Sequence, residues 1–149
     1  MEYDPDFERD FMRRTLAIVQ SYDGTFDATM LINCLLGLLV MPKETLFNKI
    51  PMEPYENLAE WGISPTSVKK FGKCEYGHEH PPTLRQLVKR MRNAVAHFKI
   101  VPVHNHGEVG AYEFKDKNGF HAVISVSDLK LFVTKLAAHL EQHSNHVLE

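Results

Sequence analysis

Residues 30–41, MLINCLLGLLVM, constrain the fold more than any other stretch, because a single polar side chain, Asn33, interrupts the run. A run of about a dozen residues falls well short of the roughly 20 that cross a bilayer, so no membrane-spanning helix is expected. A helix that is apolar on nearly all sides must instead be central to a domain or set into a subunit interface. Thr25 or Asp27 can cap its start. Met41-Pro42 ends it near Val40, since a proline pushes the preceding residue out of helical space.

A chain of 149 residues can bury one continuous core around such a helix, so a single domain over 1–149 is expected. Hydrophobic residues make up 44% and charged residues 24%, a balance that fits a soluble globular protein and excludes a disordered one. The opening MEYDPDFERDF is acidic where a secretory signal would be basic and then apolar, which points to a cytoplasmic protein. Cys34 and Cys74 form no disulfide framework and are expected to be reduced there.

Around the central run, Phe7, Phe11, Leu16, Ile18 and Val19 predict a helix over 5–21, opened by Pro5 and closed at Tyr22-Asp23-Gly24. The segment from Pro42 to Pro82 is rich in proline and glycine; it reads as short helical pieces at 43–49 and 53–60, then a long loop from Gly62 to Pro82. Thr83 to Phe98 gives the most regular helix. Leu84, Leu87, Val88, Met91, Ala94, Val95 and Phe98 form one stripe that faces the core. Val109–Phe114 and Phe120–Val126 flank Asn118-Gly119, a strong hairpin signal. Ser127-Asp128 caps a last helix to about residue 143, with Leu129, Phe132, Val133, Leu136, Ala137 and Leu140 on its core face. The fold expected is mainly α: a four-helix bundle with a β-hairpin inserted before its last helix.

The third helix also segregates charge. Between Pro81 and Gly107 stand Arg85, Lys89, Arg90, Arg92 and Lys99 without one Asp or Glu, although the whole chain carries −2. The remainder therefore carries about −7, and an anionic ligand fits the basic helix. At 100° per residue Arg85, Lys89, Arg92 and Ala96 lie on one line, with Asn93 and His97 beside them and Arg90 at the edge. Arginine offers phosphate oxygens a permanently charged fork, an imidazole changes protonation near neutral pH, and an amide one turn away can orient the imidazole or hold a substrate oxygen. Arg92, Asn93 and His97 thus suit phosphodiester chemistry. From spacing alone, a basic polar face on an amphipathic helix is usually just a solvated one.

The motif Arg92-Asn93-Ala94-Val95-Ala96-His97 resembles the signature of the HEPN superfamily, in which an Arg, usually followed by a polar residue, precedes a His by four to six positions on the third helix of a four-helix bundle. The phrase LINCLLGLLVMPKE at 31–44 and the hairpin before the last helix are similar to a branch of small stand-alone bacterial HEPN proteins, some of them plasmid-borne. The resemblance covers most of the chain. It implies a homodimer whose third helices meet across a cleft, with Arg92 and His97 of both subunits as catalytic groups. It also implies a metal-independent endoribonuclease of toxin or phage-defence type that needs no cofactor. Arg85, Lys89, Arg90 and Lys99 are the RNA-binding residues on this reading, and an antitoxin or other regulatory protein is a further partner. In the HEPN toxins silenced by a nucleotidyltransferase, a tyrosine follows the histidine by two; Lys99 stands there instead, which argues against that mode of silencing. Other HEPN domains bind RNA or a protein partner without catalysis, and this is the alternative reading.

Cys74, His78 and His80 sit close together in the long loop, and His104 and His106 lie beyond the third helix; such residues can ligate zinc or a softer metal. No CxxC pair or evident fourth ligand accompanies them, so they remain a weak metal candidate. Gly72, Gly77, Gly107 and Gly110 make no phosphate-cradling pattern. Trp61 and Tyr55 read as anchors of the irregular segment in preference to base-stacking groups.

Overall fold

A computed structural model describes residues 5–24, 27–40, 48–52, 55–72 and 83–143. Among them are four α-helices: α1 (Pro5–Ser21), α2 (Asp27–Val40), α3 (Leu84–Ala96) and α4 (Val126–His143). Two 3-10 segments, Tyr55–Trp61 and Pro65–Ser67, precede strand β1 (Val68–Lys70). Strands β2 (Ile100–Asn105), β3 (Glu108–Lys115) and β4 (His121–Ser125) lie between α3 and α4. The chain is mainly α with a small antiparallel sheet ordered β1-β4-β3-β2.

The apolar run behaves as its composition demands. Leu31, Leu35, Leu38 and Leu39 are buried, and α2 packs against α1, α3 and α4. Gly37 lets α1 and α2 close up: a Cβ there would stand 2.7 Å from the Phe11 ring. The last helix gathers the core. Leu129, Phe132, Val133, Leu136, Ala137 and Leu140 are all buried, against α1 and α2 and against β3 and β4. Each large side chain so removed from water contributes about 1.5–3 kcal/mol.

The sheet is larger than the two-stranded hairpin expected from Asn118-Gly119. That hairpin exists as β3–β4, but β2 extends it on one side and β1 on the other. In β3 and β4 the alternation is strict: Tyr112, Phe114, Ala122 and Ile124 face the helices, while Glu113 and His121 face outward and join at 2.8 Å. The β2–β3 turn places His106 at φ 54° and Gly107 at φ 84°, the pair of positive values that a two-residue hairpin of matching twist requires. β2 is an edge strand, and Pro102 within it blunts pairing with another chain.

Other boundaries shift for local reasons. Part of the expected loop 62–82 forms β1, because Val68 packs on the core and pairs with Ala122. The expected helical piece at 53–60 is a 3-10 segment over 55–61, where residues 53 and 54 lie outside the described residues, as do 43–47 of the other piece. α4 begins earlier than its expected Ser127-Asp128 cap: Ser125 Oγ accepts from the Asp128 N–H at 3.1 Å, so Ser125 caps the helix. Asp128 then favours the positive end of the helix dipole from the first turn. No helix among the described residues is long and apolar enough to cross a membrane.

Candidate functional site at the end of the third helix

Helix α3 starts with its donors satisfied. Thr83 is extended, and its Oγ1 accepts from the Gln86 N–H at 3.2 Å, the first half of a Thr-x-x-Gln capping box. Leu84, Leu87, Val88, Met91 and Ala94 are buried, as the stripe requires. At the other end the helix stops at Ala96. His97 is the cap residue; its N–H donates to the Asn93 carbonyl at 3.2 Å and to that of Val95. The Phe98 N–H donates to Val95 O at 3.1 Å and the Lys99 N–H to Ala94 O at 2.8 Å, the paired bonds of a Schellman ending. The Lys115 N–H then donates to Lys99 O at 3.0 Å, which fastens the helix exit to β3.

These bonds fix where the expected site residues stand. Arg92 is half-buried on the flank of the helix, while Asn93, Ala96, His97 and Lys99 are exposed at its C-terminal end. Lys89 is half-buried one turn earlier, on Arg92's side. His97 leaves helical geometry at the cap, with φ −105° and ψ 13°. The link the structure shows between Asn93 and His97 is the backbone bond.

Two of the five expected cations are used elsewhere. Arg90, placed with the RNA-binding residues by sequence, is buried at 4% exposure and pairs with Asp116 at 3.2 Å. Its guanidinium carbon also stands over the Phe71 ring, 6.0 Å from the centroid. Position 90 lies at the margin of the apolar stripe, and the sheet and the segment around Phe71 cover that margin. The basic face is therefore narrower than expected. Asp116 is saturated in turn: its other oxygen accepts from the N–H groups of Asn118 at 2.8 Å and Phe120 at 3.0 Å, shaping the β3–β4 turn. Arg85 reaches instead to the backbone of residues 48–50. Its Nε donates to Ile50 O at 2.8 Å and its Nη2 to Asn48 O at 2.7 Å. From α4, His139 Nε2 meets the intervening Lys49 carbonyl at 2.9 Å, so three successive carbonyls are held by two side chains.

Phe98 departs furthest from expectation. Read as the end of the core stripe, it is instead 93% exposed, with φ at 56°. The stripe stops short because the helix does: beyond the cap the chain reverses toward β2 and carries the ring into solvent. A non-glycine residue in the left-handed region costs on the order of 1 kcal/mol or more, and an exposed ring returns none of it by burial.

Cys74, His78 and His80 lie outside the described residues. Among the described residues no three His, Cys, Asp or Glu are grouped to hold a metal ion. Cys34 packs against the core, and burial raises its thiol above its ordinary pKa.

Helix α3 thus ends in a half-buried Arg92 and an exposed Asn93 and His97, within a stretch of sequence free of Asp and Glu. Comparison with curated proteins found no match, and comparison with solved structures found none either. A family model described as HEPN pEK499 p136 matches residues 1–146, nearly the whole chain. Members of the HEPN superfamily are often ribonucleases or nucleotide-binding proteins, and they often dimerise. The chain belongs to the HEPN pEK499 p136 family, and through it to the HEPN superfamily.

Proposed function

We propose that this protein is a metal-independent endoribonuclease of toxin or phage-defence type, acting from a composite site in a homodimer. The observation that carries the reading is the placement of a half-buried Arg92 with an exposed Asn93 and His97 at the C-terminal end of α3, the helix that bears the HEPN-like motif. On this reading the four helices form the bundle of that superfamily, and the α3 ends of two protomers face one another across the cleft. The 2′-hydroxyl of RNA attacks its own adjacent phosphate. One His97 takes the hydroxyl proton, the bond from phosphorus to the 5′-oxygen breaks, and the second His97 protonates that oxygen. Arg92 meets the charge that builds on the phosphoryl oxygens, with Asn93 as a neutral donor beside it. A 2′,3′-cyclic phosphate and a 5′-hydroxyl result. The nucleophile is part of the substrate, so this chemistry calls for no metal.

With Arg85 and Arg90 committed to internal bonds, the phosphate contacts are assigned to Lys89, Arg92 and Lys99. So few contacts favour selective recognition of an unpaired segment over tight binding to any RNA. The same observation favours the second reading, a non-catalytic module that binds RNA or a protein partner, among them an antitoxin or regulator. Purified wild type, Arg92→Ala and His97→Ala incubated with total RNA in excess chelator separate the two. Cleavage by wild type that falls at least a hundredfold in both variants is expected; intact RNA in all three lanes removes the ribonuclease.

A further inference from the structure

We propose that Phe98 is a stacking platform for an unpaired RNA base beside the phosphate handled by Arg92 and His97, an inference that rests on the RNA reading of that site. Three observations meet at this residue. Its ring is 93% exposed, the greatest exposure among the large hydrophobic side chains described. Its backbone sits at φ 56°, a conformation a glycine would hold without strain. And its neighbours on either side, His97 and Lys99, are both exposed and belong to the proposed site.

Neither the strain nor the exposure helps the fold, yet the position is rigidly built. The bonds Phe98 N–H to Val95 O, Lys99 N–H to Ala94 O and Lys115 N–H to Lys99 O hold the backbone on both sides of the ring. A ring presented from a fixed backbone at little entropic cost is what base stacking uses. The charge around it selects the occupant. An aromatic that joins two protein surfaces sits in an apolar centre with charged groups kept at the rim. In sequence Phe98 lies within the acid-free stretch that ends at Gly107, with His97 before it and Lys99 after it. A polyanion whose bases have apolar faces matches both features at once. Because only an unstacked base offers its face, the substrate class is single-stranded or looped RNA, with little discrimination among bases.

The test uses the full-length protein and a short fluorescent 2′-O-methyl oligouridylate, whose blocked 2′-oxygen cannot attack, so binding is read without cutting. Phe98→Leu and Phe98→Gly are expected to weaken binding about tenfold or more, and Phe98→Tyr to stay near wild type. The slope of log affinity against log salt is expected to stay constant through this series and to flatten in Lys99→Ala, since a ring releases no counterions. Phe98→Gly is also expected to melt no lower than wild type, because it relieves the left-handed residue. Unchanged affinity in the Leu and Gly variants overturns the proposal. So does equal affinity for an abasic strand of the same length, or a loss of affinity that follows conversion of a dimer to a monomer in sedimentation. Wild type that cuts RNA while Phe98→Leu binds normally overturns the platform alone. Wild type that binds without cutting overturns the ribonuclease and leaves the platform supported if the Leu and Gly variants bind more weakly. Absence of binding by wild type overturns both.

Discussion

Arg90 and Arg92 stand two positions apart on one helix, the first buried and the second half-buried. The buried one is a structural ion pair whose charge is matched by Asp116 and whose plane covers Phe71. Removing one member of such a pair leaves the other charge uncompensated in the interior. Arg90→Met is expected to lower unfolding free energy by about 3–5 kcal/mol. Adding Asp116→Asn should recover part of the loss, because the amide oxygen can still accept from Asn118 and Phe120. Urea denaturation of the two single variants and the double variant reads the coupling; additive losses would show that the pair is not coupled. Arg92 is different. If its fork meets developing charge on phosphate, Arg92→Lys keeps the charge but loses the bidentate geometry, and cleavage of total RNA should drop about tenfold or more.

At the scale of elements, the stripe of α3, the all-apolar α2, the core face of α4 and the β3–β4 hairpin were legible because each repeats one residue type at one period over many positions. What escaped was decided by single contacts. β2 escaped because IVPVHN reads as irregular around Pro102, although His106-Gly107 marks the turn that pairs it with β3. The exposure of Phe98 escaped because periodicity extends a stripe until a breaker appears, and here the helix ends at His97 without a glycine. Arg90 could have been suspected from its place at the stripe's margin; its partner Asp116, 26 positions away, could not.

The same scale carries two further expectations. Gly72, at φ 87°, lies so close to the β3–β4 turn that a Cβ would stand 2.6 Å from Asn118 O and 2.8 Å from Phe120 N. Gly72→Ala should therefore destabilise by about 2 kcal/mol or more in a urea melt. On the outer sheet face the His121 hydrogen bond, reinforced by Lys115, holds the Glu113 carboxyl below its ordinary range. A depressed carboxyl stabilises the fold above its unfolded pKa and loses that contribution as pH falls through the folded one. Glu113→Gln should thus lower the melting temperature at pH 7, with the gap closing below about pH 4. A gap that persists at low pH would assign the effect to packing.

For the whole molecule, a composite site demands two copies. Sedimentation at micromolar concentration should give twice the 17.1 kDa of the chain, and a strict monomer would remove the partner His97 from the reaction. The charge layout bears on this assembly: bringing two α3 ends together concentrates Lys89, Arg92, His97 and Lys99 in one cleft, while the rest of each protomer is acidic. Such a cleft attracts phosphates and repels its own copy, so salt or RNA should favour the dimer. The reaction itself is read most directly from the ends it leaves. RNA digested by wild type in excess chelator should carry 2′,3′-cyclic phosphate and 5′-hydroxyl ends at the cut, and His97→Ala should leave none. Ends bearing 5′-phosphate and 3′-hydroxyl, or the same cuts from His97→Ala, would contradict the mechanism built on Arg92 and His97.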